Sequence, residues 1–158
     1  MNLKKQEQSV VFDERQRGFV LKSYQYGFCF MIFVLWLCFF VTRYLGASIT
    51  SGFMISLAFW GGLCIQTSYA ILKGAHPLVD SRFKKFGPLR KWVGIFILLY
   101  GLGMSVLGIV ESVNARLGWK EFFTFGGTGM FLALGVTLTV LGLTLVYRQY
   151  LDKKEMED

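Results

Sequence analysis

Polar and apolar positions along this chain fall into long blocks rather than short periods. Four apolar blocks, at about residues 23–42, 52–72, 92–110 and 122–146, are set apart by polar segments at 1–22, 73–91 and 147–158 and by two shorter connections. Each block is about as long as an α-helix must be to cross a hydrocarbon core of ~30 Å. The pattern predicts an all-α polytopic membrane protein, four transmembrane helices in one bundle and a single membrane domain, with both termini on the same side.

The blocks differ in character. The first holds six aromatic residues between Phe28 and Phe40 and ends on Arg43 and Tyr44, so it reads as a lipid-facing helix with an interfacial anchor. Before it, Asp13 and Glu14 stand four and three residues ahead of Arg17, a spacing that supports a helix running into the span. The residues Ser48 to Gly52 read as a tight outer turn. The second block is rich in small residues, with Gly52 and Ser56 spaced for close helix approach. It also carries Gln66, the one amide in that block, which is expected to hydrogen-bond a neighbouring helix. In the third block Gly94, Gly101 and Gly108 repeat every seven residues, and in the fourth Gly135 and Gly142 do the same. Such stripes are packing seams, for a helix of this chain or of another. Thr137, Thr139 and Thr144 are placed to return their hydroxyls to the preceding helical turn.

Charge orients the pattern. The segment from Lys73 to Lys91 contains Lys73, Arg82, Lys84, Lys85, Arg90 and Lys91 against the single acid Asp80, together with both prolines, Pro77 and Pro88. Short segments rich in Lys and Arg stay cytoplasmic. If the N-terminal segment, this loop and the C-terminal tail share one side, 14 of the 17 Lys and Arg lie there, which predicts both termini in the cytoplasm. The formal charge of +7 is accounted for by topology and by anionic lipid headgroups, with Phe83 and Phe86 lying among them, so direct nucleic-acid binding is not expected.

Candidate chemistry is sparse. The four span interiors contain no Asp, Glu, Lys, Arg or His, whereas intramembrane enzymes, pumps and channels place such groups at bilayer depth. His76 is the only histidine and reads as a loop residue. There is no H-E-x-x-H helix and no G-x-S-x-G elbow. Cys29, Cys38 and Cys64 fall inside spans, are odd in number and read as small buried apolar residues. No catalytic residue, metal or cofactor is assigned. The N-terminal sixteen residues carry acids and glutamines where a cleaved signal would be apolar, so the first span is expected to act as the anchor.

Asp13-Glu14-Arg15-Gln16 ahead of the first span, four short spans, and a middle segment with Gly74 and Asp80-Ser81-Arg82-Phe83-Lys84-Lys85 resemble small membrane proteins of Gram-positive bacteria with an N-terminal DERQ-type motif. In build these are similar to the membrane partners of LytTR-type transcription regulators, in which the membrane protein restrains its regulator. The resemblance implies a bacterial plasma membrane and a regulatory role, and supplies no catalytic residues. The expected function is a non-enzymatic membrane regulator or sensor. Asp13, Glu14, Arg15, Arg17, Asp80, Arg82, Lys84 and Lys85 would bind a cytoplasmic partner. The alternative is an accessory or immunity protein packing against a transporter or other membrane protein through Gly94, Gly101 and Gly108, and a homo-oligomer is compatible with either. A third reading is an intramembrane enzyme using His76, Asp80 or a cysteine.

Overall fold

The structure, a computed structural model, describes residues 14–46, 49–76, 87–114, 122–123 and 127–154, with the side chains of the third helix described from residue 92. Four long helices make up the fold: α1 (Glu14–Tyr44), α2 (Ser51–Leu72), α3 (Gly87–Asn114) and α4 (Thr128–Lys154). At 1.5 Å per residue they measure ~46, ~33, ~42 and ~40 Å. Each contains a window apolar enough to cross a membrane, and the fold is that of a multi-pass membrane protein.

Several helix ends differ from the apolar blocks. The charged residues from Glu14 to Lys22 precede the apolar block but are part of α1, in keeping with the helical spacing of Glu14 and Arg17. α3 starts at Gly87, with Pro88 in its first turn, where a missing N–H costs nothing. α4 starts at Thr128 rather than Phe122, because the glycines just before and after Thr128 oppose helix formation. It then continues beyond Val146 to Lys154, where Arg148 and Asp152, one turn apart, form an ion pair at 3.0 Å.

Lipid tails are as apolar as leucine, so helices in a bilayer associate through close packing rather than through exclusion of water. Glycine sets the spacing here. A Cβ built on Gly101 would lie 2.5 Å from the Thr139 amide nitrogen, one on Gly135 2.5 Å from that of Ser105, and one on Gly142 2.5 Å from that of Leu98. Gly94 faces Leu145 and Gly108 faces Leu132. The two seven-residue stripes therefore meet each other, and α3 and α4 run antiparallel with backbones in contact. The hydroxyls along this seam bond within their own helices, Ser105 donating to the Gly101 carbonyl at 2.9 Å and Thr139 to that of Gly135 at 2.8 Å.

A second seam joins α1 to α2. A Cβ on Gly27 would lie 2.9 Å from the Gly62 carbonyl oxygen, and Phe30 lies over Gly61. Val34, Cys38 and Ala58 form the adjoining core. Tyr26 and Tyr69 meet edge to face with ring centroids 5.0 Å apart. α2 and α4 run parallel, joined by the Cys64 thiol donating to the Thr137 carbonyl (3.5 Å) and the Thr144 hydroxyl donating to Ser68 (3.4 Å). The principal contacts thus run α1 to α2, α2 to α4 and α4 to α3, leaving α1 and α3 as the outer members. Their outward faces carry exposed Phe28, Phe33, Trp36, Phe39, Phe96 and Leu107. In a bilayer these side chains meet acyl chains.

Candidate docking face and membrane grooves

The start of α1, the end of α2 and the end of α4 come together at one end of the bundle. At the exit of α2, Gly74 adopts a left-handed conformation (φ +67°). Its N–H donates to the Ile71 carbonyl at 3.0 Å, and that of Ala75 donates to Ala70 at 2.8 Å. This pair of bonds is the Schellman arrangement that satisfies the last carbonyls of a helix. Arg148 of α4 donates from Nη1 to the Leu72 carbonyl at 3.4 Å, adding positive charge at the negative end of the α2 dipole.

Phe19 ties α1 to the same place. The Arg15 guanidinium and the Lys73 ammonium lie 5.7 and 5.8 Å from the centre of its ring, distances at which the ring face attracts a cation. Glu14, Arg15, Arg17 and Lys22 are exposed around α1, and Lys153 and Lys154 are exposed at the end of α4. His76 follows two residues after Gly74, and burial holds its imidazole pKa below the ordinary value. The end is strongly cationic, and its helices are pinned to one another by named contacts.

Of the residues expected to bind a cytoplasmic partner, Glu14, Arg15 and Arg17 lie here, on the first turns of α1. Asp13, Asp80, Arg82, Lys84 and Lys85 lie outside the described residues. Gly94, Gly101 and Gly108 face α4 of the same chain, so a partner using that stripe would have to displace α4.

The opposite end is closed by Thr50. Its N–H and its hydroxyl both donate to the Phe123 carbonyl, at 3.2 and 3.1 Å, while its oxygen accepts from the Phe53 N–H at 3.4 Å as the cap of α2.

Two grooves open between the helices at membrane depth. The larger, about 450 Å³, has Leu57, Gly61 and Cys64 of α2 as its floor, Phe30 of α1 on one side and Leu132 to Val140 of α4 on the other. Its polar groups are already engaged, since the Thr137 hydroxyl donates to Ala133 at 2.7 Å. The second, about 420 Å³, is lined by Tyr24, Gln25, Phe28 and Met31 of α1 and by Gln66 of α2. The expected bond from Gln66 to a neighbouring helix is not formed among the described residues. Its stem packs against Gly27, which directs the amide along the groove. Cys29 also departs from expectation, being exposed where Cys38 and Cys64 are buried, and all three are free thiols. No group of His, Cys, Asp and Glu able to hold a metal ion occurs among the described residues.

No protein-family model, curated protein or solved structure matches this chain.

Sequence reasoning missed three residues that build the site. Gly27 has no partner at seven-residue spacing, so nothing marked it as a contact. Phe19 looked like one more apolar residue at the foot of a span. Gly74 did carry a signal, since a glycine just past the last apolar residue of a helix is the usual cap.

Proposed function

We propose that this chain is a non-enzymatic regulator or sensor in a bacterial plasma membrane. On this reading both termini are cytoplasmic, and a soluble partner such as a transcription regulator docks on the cationic end through the N-terminal segment and the loop between α2 and α3. One observation carries the reading: α1 continues as a helix through its charged residues, so Glu14, Arg15 and Arg17 are presented on a rigid extension beside Lys73 and Arg148. A fixed array of charges of both signs sets docking register and rejects wrongly charged partners. The absence of Asp, Glu, Lys, Arg and His from the span interiors fits a scaffold better than a pump or an enzyme.

Affinity capture from the native membrane in mild detergent tests this directly. Wild-type protein should bring down a soluble regulatory protein, and a variant with Arg82, Lys84 and Lys85 changed to Glu should lose it. Equal recovery of a membrane protein with both would instead favour an accessory subunit, docked on the lipid-facing sides of α1 and α3.

A further inference from the structure

We infer that the groove between α1 and α2 is a binding site for one anionic glycerophospholipid of the leaflet at the cationic end. The starting point is Gln66. It lies six residues before the end of α2, which places it ~9 Å inside that helix end, within the hydrocarbon. An amide there without a hydrogen-bond partner is costly. The Gln66 amide makes no such bond among the described residues, and it lines an open groove.

The rest of the groove changes in polarity with depth as a lipid does. Counting about twenty residues back along α1 from Val41 puts the membrane boundary near Lys22. Phe28 and Met31, deeper in, offer apolar walls to an acyl chain. Gln25 and Tyr24 lie just inside the boundary, at the level of the glycerol esters, and Gln66 reaches up from α2 on the other side. Arg17 is exposed and stands seven residues before Tyr24 and eleven before Phe28. Residues seven and eleven apart share a helix face, so this cation stands at headgroup height above the groove. Amide N–H groups donate to ester carbonyls, and the cation meets a phosphate and an anionic headgroup. An apolar partner helix would leave both amides unpaired. The site requires only that the helices span a bilayer with their cationic ends in one leaflet, and it does not depend on a cytoplasmic partner.

The test uses the full chain in nanodiscs holding equal amounts of phosphatidylglycerol and phosphatidylcholine, released into mild detergent and read by native mass spectrometry. Wild-type protein should keep one phosphatidylglycerol per chain in preference to phosphatidylcholine. Arg17→Gln should reduce that preference about fivefold, because it touches only the headgroup. Gln66→Leu should reduce retention of both lipids about fivefold, because their esters are the same. If Gln66→Leu fails to fold, Gln25→Leu on the exposed side of the groove should give the same loss of both.

Four results would overturn the site: equal retention of the two lipids by wild type, retention unchanged in the glutamine variants, displacement of the lipid by millimolar glycerol phosphate, or a dimer that Gln66→Leu converts to monomer. The third would identify a site for a soluble phosphate, and the fourth a second copy of the chain in the groove.

Discussion

A methyl group added at Gly101 or Gly135 would land on the backbone of the facing helix, not on a flexible side chain that could move aside. Relief requires separating α3 from α4, and in lipid there is little besides that contact to hold them together. Gly101→Leu is predicted to destabilise the fold by about 3 kcal/mol, measured as a fall in the unfolding midpoint in detergent. Gly103, two residues away, has open space around its Cβ position, and Gly103→Leu should not destabilise the fold, gaining up to about 1 kcal/mol from helix propensity. His76 gives a prediction of a different kind. Its pKa in the folded chain lies below the ordinary 6.5, so the unfolded chain binds the proton more readily. Stability should be independent of this group above pH 6.5 and should fall as pH drops below it. In His76→Gln that acid-side fall should be smaller.

At the scale of the element, the helices are held at their ends as much as along their lengths. Thr50 both caps α2 and anchors Phe123, so Thr50→Ala removes the cap and the hydroxyl's bond to Phe123 while leaving the backbone N–H bond in place. It should cost about 1 kcal/mol, with faster amide exchange at Phe53 as the local sign. The sequence showed the four helices because twenty apolar residues in a row admit few other structures. It showed the α3 and α4 stripes because a strict seven-residue period can be read without a partner. It did not show that the two stripes face each other, since pairing is a property of the bundle. Helix ends were least legible: the spacing of Glu14 and Arg17 pointed to a helix ahead of the first span, but the start of α3 at Gly87 and the run of α4 to Lys154 lie in polar sequence that the apolar pattern does not mark. Gln66 was visible as an anomaly, but whether its amide met a helix or a groove depended on Gly27, 39 residues away and unremarkable in isolation.

For the whole molecule, the order α1, α2, α4, α3 leaves two outer helices clothed in aromatic and aliphatic side chains and gathers most of the described positive charge at one end. The opposite end keeps Arg43 and Glu111 among the described residues. That asymmetry is what a translocation machinery reads, and it is also what a soluble partner or an anionic leaflet would meet. The proposed docking requires that the cationic end faces the cytoplasm, whereas the lipid site requires only that this end lies in one leaflet. The most direct measurement is site-specific labelling in intact cells, in a background with Cys29, Cys38 and Cys64 changed to Ala. Single cysteines are placed near each terminus and in each of the three connections, then probed with a membrane-impermeant thiol reagent before and after permeabilisation. Cysteines at both termini and in the loop after α2 should label only after permeabilisation, and those after α1 and α3 should label before it. Labelling of the termini on opposite sides, or of the loop after α2 in intact cells, would contradict the account.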